Sequence, residues 1–215
     1  DSGEIRIDGQ GAVEGPSTLG NLVGMVRQDP RDQLIAGIVD EEAAFGPENL
    51  ALPRQEIRRR VTEALARVGL AGFEGRTPRE LSAGQQQRLA IAGILAMRPA
   101  YLIFDESASM LDPGAREEFY SLCRELADEG YGVLTITHFA EEAFLADTLL
   151  FLENGRLADS GAPAELFLRH PELGRPFILA LAGELAARGI LLPVGISDIS
   201  RLGAELIRLL NRESA

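Results

Sequence analysis

The 215-residue chain contains no lysine, so all 21 of its basic residues are arginine. A nucleotide-binding P-loop of the form G-x-x-x-x-G-K-[ST] needs a lysine beside the β- and γ-phosphates, and this sequence cannot provide one. The chain also has a single cysteine, Cys123, which excludes an internal disulfide framework and fits a reducing compartment. No apolar run is long enough to predict a bilayer-spanning helix.

Acidic side chains outnumber basic ones by 33 to 21, which gives a net charge of −12. Nucleic-acid binding normally requires a basic surface, so this balance argues against a nucleic-acid partner. The hydrophobic content of 46% is ordinary for a globular protein. The length allows one large domain, or one domain with an extension.

A helix start with accessible amides is predicted near the middle of the chain. Ser82 is followed three residues later by Gln85, and this spacing predicts a capping box at a helix N-terminus. Ala83 and Gly84 keep that end free of bulky side chains. An anion could therefore approach the exposed amides and the positive end of the helix dipole.

A strand that ends in two acids is predicted shortly afterwards. The apolar run Tyr101–Phe104 shows no alternation, which is typical of a strand buried on both faces of a parallel sheet. Asp105 and Glu106 follow it, at the edge where such sheets bind ligands. One carboxylate could hold a magnesium ion through water, and the other could polarise an attacking water.

These motifs, taken in order, resemble those of the ATPase subunit of ABC transporters. LSAGQ is similar to the signature motif, YLIFDE to the Walker B strand, and Ser109–Asp112 to the D-loop. Gln28, which follows the predicted strand Leu22–Val26, resembles the Q-loop glutamine. His138, which follows another apolar run, resembles the switch histidine. Each motif alone is weak evidence, whereas the order and spacing of all five are specific.

The resemblance implies an α/β fold, with a P-loop NTPase-like sheet flanked by helices. It implies an ATPase core at residues 1–30 and 99–167, a helical subdomain with the Q-loop region and signature motif at 31–98, and a helical C-terminal extension at 168–215. Because the sequence begins at Asp1 and has no lysine, we expect that the P-loop has been removed by truncation. The alternative is a protein in which the P-loop has degenerated. We expect the chain as it stands to bind ATP poorly and to hydrolyse none, because the P-loop amides and lysine that hold the phosphates are missing.

The resemblance also implies roles for individual residues toward ATP and Mg²⁺. Glu106 would polarise the attacking water and His138 would contact the γ-phosphate. Asp105 and Gln28 would hold Mg²⁺ through water. The remaining implied residues lie at the interface with a second ATPase subunit, where Ser82, Ala83, Gly84 and Gln85 would bind the opposite subunit's nucleotide and Asp112 would lie at the dimer seam.

The region Gln33–Leu50 narrows the resemblance. Its FGPENL run is similar to the energy-coupling factor group of cobalt, nickel and vitamin importers. This implies a second ATPase subunit, identical or different, and a transmembrane importer subunit as partners, at the cytoplasmic face of the membrane. The sequence departs from the family at Asp29, where Asn is more usual, and at Ser107 and Ala108, where Pro and Thr are usual.

Two alternative functions stay open. One is a soluble ABC ATPase of DNA repair or chromosome maintenance, but the segment between Gln28 and Leu81 is short and has neither heptads nor cysteine. The other is a non-enzymatic module derived from the same fold. The intact Asp105-Glu106 pair argues against it.

Several further elements are predicted from local pattern. Gly9–Gly20 is predicted as a loop, and His170 as a surface residue without a second metal ligand nearby. A helix is predicted to start at Pro113, and Cys123 on this helix is predicted to be a small residue of the protein core. The remaining predictions are a helix over Arg54–Val68, a hairpin at Asn154-Gly155, and C-terminal helices with Phe177, Leu181 and Leu185, and with Ile199, Leu202, Leu206 and Leu209 after a Ser197 cap.

Overall fold

The computed structural model describes residues 5–11, 22–190 and 208. The chain divides into two compact units, Asp1–Ile136 and Thr137–Ala215. Each unit has its own cluster of buried apolar side chains. Within the described ranges, no helix combines the length and hydropathy needed to cross a membrane. The three-part domain division drawn from the sequence stays a prediction.

A short antiparallel hairpin comes first, with β1 at Arg6–Ile7 and β2 at Gln10–Gly11. Asp8 and Gly9 join the strands with φ of 52° and 76°, as in a type I′ turn. The prediction of a loop from Gly9 onward is therefore wrong for β2. The Asp-Gly dipeptide is itself a strong signal for a two-residue hairpin turn, which explains the second strand.

The first unit contains a three-stranded parallel sheet in the order β3-β4-β5. The strands are β3 at Val23–Val26, β4 at Tyr101–Asp105 and β5 at Gly132–Ile136. Gly24 lies in β3 where a methyl group would be 3.0 Å from Ile94 Cβ, so glycine allows the neighbouring helix to pack closely. The predicted parallel α/β sheet is confirmed.

Burial of β4 differs between its two faces. Leu102 and Phe104 are 0% and 1% exposed, whereas Ile103 on the opposite face is only half-buried. The register places Ile103 between Met25 and Leu134, which are 43% and 44% exposed. The prediction of burial on both faces is therefore wrong for one of them, because the described residues leave that face partly open.

Three helices pack together beside the sheet: α1 at Val39–Asn49, α2 at Arg54–Arg67 and α3 at Ala83–Met97. The N-terminal amides of α1 donate to carbonyl groups of the loop before α3, which replaces a side-chain cap. Gly46 lies where a methyl group would come within 2.5 Å of Met97 Sδ, so α1 and α3 approach closely there. The prediction of a helix from Arg54 is confirmed.

Helix α4, Pro113–Asp128, packs on the buried face of the sheet. Phe119 meets Phe104 edge to face, with ring centroids 5.1 Å apart. Cys123 on the same helix is 7% exposed, and burial raises the pKa of its thiol to about 12. The prediction of Cys123 as a core residue is confirmed.

The second unit combines a hairpin with short helices. Its elements are α5 at Ala140–Ala143, β6 at Leu149–Glu153, β7 at Arg156–Gly161, α6 at Pro163–Arg169 and α7 at Phe177–Ala187. The predicted turn is confirmed, since Asn154 and Gly155 have φ of 49° and 74°. Phe144, Phe167 and Ile178 form the buried cluster. The predicted helix with Ser197, Ile199, Leu202, Leu206 and Leu209 lies outside the described residues.

Candidate functional site

The two adjacent acids lie where the sequence predicted, at the carboxyl edge of the sheet. Asp105 is the last residue of β4, and the backbone N–H of Glu106 donates to the carbonyl of Ile136 at 3.0 Å. Glu106 has a φ of 47°, in the left-handed region. Such a conformation costs a non-glycine residue about 1–3 kcal/mol and persists only where the surrounding structure holds it.

Strand β3 brings Gln28 to the same edge. The Nε2 of Gln28 donates a hydrogen bond of 2.9 Å to Oε2 of Glu106. Gln28 is exposed, and Asp105 and Glu106 are half-buried, so solvent reaches the group. The structure thus brings together three of the predicted site residues.

The turn after Gln28 is locally stabilised. The carboxylate of Asp29 accepts from the backbone N–H of Arg31 at 3.0 Å and pairs with its guanidinium at 2.7 Å. This hydrogen-bonded guanidinium lowers the pKa of Asp29. Asp29, at the position where the family more often has asparagine, therefore caps the turn Pro30–Asp32. Asparagine can form the same kind of cap.

Two side chains that the sequence analysis did not assign to the site hold the end of β3. Ser107, 2% exposed, donates from its hydroxyl to the carbonyl of Val26 at 3.1 Å. Gln33 accepts from the backbone N–H of Arg27 at 2.6 Å and donates to the carbonyl of Met25 at 3.1 Å. The only advance signal was that Ser107 departs from the family and follows Glu106 directly.

The signature residues form the start of α3. The hydroxyl of Ser82 accepts from the backbone N–H of Gln85 at 3.3 Å, and Oε1 of Gln85 accepts from the backbone N–H of Ser82 at 2.9 Å. This confirms the predicted capping box. Ser82 and Ala83 are exposed, so the helix end can be reached from solvent. A methyl group at Gly84 would lie 3.5 Å from Leu111 Cδ2, which places the signature turn beside the D-loop.

Asp112 caps helix α4. Its Oδ1 accepts from the backbone N–H of Ala115 at 3.0 Å, and the residue is exposed. This cap orients the D-loop relative to the helix that follows. The predicted position of Asp112 at a dimer seam stays a prediction.

His138 belongs to the second unit and is exposed. Thr137 Oγ1 accepts from the backbone N–H of Phe139 at 3.1 Å and donates to Glu142 Oε2 at 2.5 Å. Glu142 is buried, so it fixes the threonine hydroxyl that closes the turn around His138. This role of Glu142 is not among those predicted from the sequence.

His170 differs from its prediction. The fold places Asp159 Oδ2 2.9 Å from its Nε2, and Glu172 Oε1 lies 2.9 Å from its Nδ1. The side chain is half-buried between these two carboxylates. The prediction of a surface histidine with no other potential ligand nearby is therefore wrong. Hydrogen bonds to Glu172 and Asp159 raise the pKa of His170. The hydrogen bond between His170 and Asp159 is also the largest of the causes that lower the pKa of Asp159 to about 2. Among the described residues, no group of three or more His, Cys, Asp and Glu is arranged to hold a metal ion.

Sequence comparison places the chain among transporter ATPases. Residues 1–109 match the family model described as ABC transporter. The chain is 42% identical over 219 residues to the energy-coupling factor transporter ATP-binding protein EcfA1 of Symbiobacterium thermophilum, with 98% of this chain and 76% of the relative covered. It is 43% identical over 211 residues to EcfA1 of Lacticaseibacillus paracasei, with 94% and 75% covered.

Solved structures show the same likeness. CbiO1 from Clostridium perfringens, part of the ABC transporter complex CbiONQ, superposes with a TM-score of 0.71 at 34% identity and covers 84% of this chain and 76% of its own. The ATP-binding cassette MJ0796 bound to ADP and Pi gives a TM-score of 0.66 at 26% identity, with 75% and 74% covered.

Proposed function

This chain belongs to the ABC transporter family of ATP-binding proteins, and we propose that it is an ATP-hydrolysing subunit of an energy-coupling factor importer for a metal ion or vitamin. The observation that carries this proposal is the hydrogen bond between Gln28 and Glu106 beside Asp105. A degenerate binding module would have no need of an oriented carboxylate at this edge. The similarity to EcfA1 and CbiO1 supports an importer.

Glu106 orients and polarises the water that attacks the γ-phosphate. The Gln28 amide donates to one carboxylate oxygen and so fixes the plane of the Glu106 side chain. A positioned carboxylate of this kind contributes about 10²–10⁴-fold to proton transfer. The two side chains act together, because a turned carboxylate would aim its lone pairs away from the water.

Asp105 and Gln28 fit a hydrated Mg²⁺, because hard cations prefer carboxylate and amide oxygens and Mg²⁺ retains most of its waters. When bound, Mg²⁺ neutralises charge on the phosphates. Since Nε2 of Gln28 donates to Glu106, its carbonyl oxygen is the atom that would accept from a metal-bound water. The sequence holds no lysine for the phosphates, so in this chain we assign phosphate contacts to the start of α3 and to His138.

The start of α3 receives the γ-phosphate of a nucleotide bound by a second ATPase subunit. The amides after Ser82 point out of a helix of 15 residues and carry the positive end of its dipole. Asp112 lies at the seam between the two subunits. The second ATPase subunit is either another copy of this chain or a related ATPase.

The region Gln33–Leu50 docks a helix of the transmembrane subunit at the cytoplasmic face of the membrane. Ile35 and Phe45 are 65% and 47% exposed there. These two side chains are candidate contacts for an apolar face of the partner helix.

Co-expression with a transmembrane subunit and a second ATPase subunit of the importer tests this function. We expect the gene product that contains this sequence to purify in detergent with an integral membrane protein, and the complex to hydrolyse Mg-ATP. Gln28→Ala in that complex should lower hydrolysis while nucleotide binding is retained. A chain that purifies without a membrane protein, or a complex whose turnover ignores Gln28→Ala, would contradict the proposal.

A further inference from the structure

The side chain of Gln33 takes the place of a neighbouring strand at the end of β3. In a parallel ladder, a residue bonds to the two neighbours of its partner on the adjacent strand. Its N–H donates to the carbonyl of the residue before the partner, and its carbonyl accepts from the N–H of the residue after the partner. The Gln33 amide does the same around Val26, since Nε2 donates to Met25 O at 3.1 Å and Oε1 accepts from Arg27 N at 2.6 Å. Within the described residues β3 is an outer strand of its sheet, so this edge is otherwise open.

A second contact fixes the same point of β3 from the other side. The Ser107 hydroxyl donates to the carbonyl of Val26 at 3.1 Å, and Ser107 directly follows Glu106 in the chain. The backbone from Met25 to Arg27 is therefore held by two side chains. Gln28 is the next residue, so its amide starts from a fixed backbone position.

Gln33 is itself anchored to α1. Glu42, 9% exposed, accepts from the backbone N–H groups of Ile35 and Ala36 at 2.8 Å and 2.6 Å through the same oxygen. These two bonds fix the chain just after Gln33. Two sets of hydrogen bonds, joined by the short backbone segment from Gln33 to Ile35, thus connect α1 to the backbone that carries Gln28.

We propose that Gln33 is a positioning residue for ATP hydrolysis, which holds the Gln28 amide at the carboxylate of Glu106. The inference rests on the proposed function of Gln28. Gln33 touches neither nucleotide nor water in this scheme, and it acts on the Gln28 amide only through the backbone of β3. Its loss should therefore change the chemical step and leave ATP binding nearly unchanged.

Steady-state kinetics of the assembled transporter test this inference. Gln33→Leu removes both hydrogen bonds, and we expect kcat to fall about ten- to a hundredfold while KM for ATP changes by less than about twofold. Gln33→Glu keeps the acceptor for Arg27 but replaces the donor for Met25 by an oxygen that faces the Met25 carbonyl, so its kcat should also fall. The matched control is Gln55→Leu, an exposed glutamine on α2, which should behave as the parent.

A double-mutant cycle separates positioning from a general structural role. In a Gln28→Ala background, Gln33→Leu should have no further effect on kcat, because the amide that it positions is already gone. Losses that multiply would overturn the inference, and so would an unchanged kcat in Gln33→Leu when Gln28→Ala alone is impaired. If Gln28→Ala is not impaired, the proposed function of Gln28 fails instead. Should Gln33→Leu not fold, the same cycle with Gln33→Glu decides between these outcomes.

Discussion

The amide Nε2 of Gln28 lies 2.9 Å from Oε2 of Glu106, although the two residues are 78 positions apart in the chain. The contact follows from the sheet: β3 and β4 run parallel with Val26 opposite Phe104, so both strands end at the same edge. Glu106 has a left-handed backbone conformation, and its carboxylate lies at that edge within hydrogen-bond distance of Gln28. An amide donor and a carboxylate acceptor form a charge-assisted pair, which is stronger than a neutral hydrogen bond.

The first prediction concerns Glu106. In the assembled transporter, Glu106→Gln should bind Mg-ATP with nearly parental affinity and lose about 10²–10⁴-fold in hydrolysis, because the amide cannot accept a proton from water. Phosphate release and nucleotide-binding titrations measure the two effects. Glu118→Gln, at a carboxylate on α4 whose side chain is 71% exposed, is the control and should turn over normally. Wild-type turnover of Glu106→Gln would remove Glu106 from its assigned role.

The second prediction concerns Cys123. Its thiol is nearly buried and its pKa is raised to about 12, so almost no thiolate forms near neutral pH. The folded protein should therefore resist a disulfide reagent such as DTNB at pH 8. In guanidinium chloride one thiol per chain should react at once, because the sequence holds a single cysteine. Rapid labelling of the native protein would show that α4 opens at that position.

The third prediction uses the inert Cys123 as a background for crosslinking. Cysteines placed at Ile35 and Phe45, which are 65% and 47% exposed, should capture the transmembrane subunit with a short bifunctional reagent. Leu168→Cys is the control, since Leu168 is 75% exposed but belongs to the second unit. Crosslinks that form from position 168 and not from 35 or 45 would mean that the docking region is misassigned.

Local sequence signals predicted much of the fold. The Ser82–Gln85 spacing predicted the capping box, and Asn154-Gly155 predicted a hairpin, because caps and tight turns depend on a few adjacent residues. The resemblance implied that Gln28 and Glu106 act on the same magnesium and water, and topology predicted only that Asp105 and Glu106 lie at the carboxyl edge of the sheet. Parallel strands place their carboxyl ends together, which is why Gln28, after β3, lies at that edge as well.

The remaining features depend on which residues meet in three dimensions. The bond from Ser107 to Val26 spans 81 positions and is set by strand register, which composition does not reveal. The apolar run of β4 reads the same whether one or both faces are covered, so the exposure of the face with Ile103 had no sequence signal. Asp159 reaches His170 only because β7 and α6 fold together.

The last prediction concerns that histidine. The pKa of His170 is raised above 6.5 by hydrogen bonds to Glu172 and to Asp159, while desolvation by burial acts in the opposite direction. Arg169 lies 3.0 Å from the same Asp159 carboxylate. The charged imidazolium therefore stabilises the fold fully below pH 6.5, the ordinary value, and the contribution is lost as pH rises through the folded pKa. Asp159 behaves in the opposite sense: its pKa falls from 3.8 to about 2, so its contribution is present above pH 3.8 and is lost as pH falls toward 2.

Proton NMR titration measures this directly, because the chain has only two histidines and His170→Gln assigns the signals. We expect His170 to titrate above 6.5, and Glu172→Gln and Asp159→Asn each to lower its pKa. Glu153→Gln, an exposed carboxylate on β6, should leave it unchanged. In urea unfolding, the stability difference between the parent and His170→Gln should shrink as pH rises past the measured pKa. A His170 that titrates at or below 6.5 would mean that the two carboxylates do not hold the imidazolium in solution.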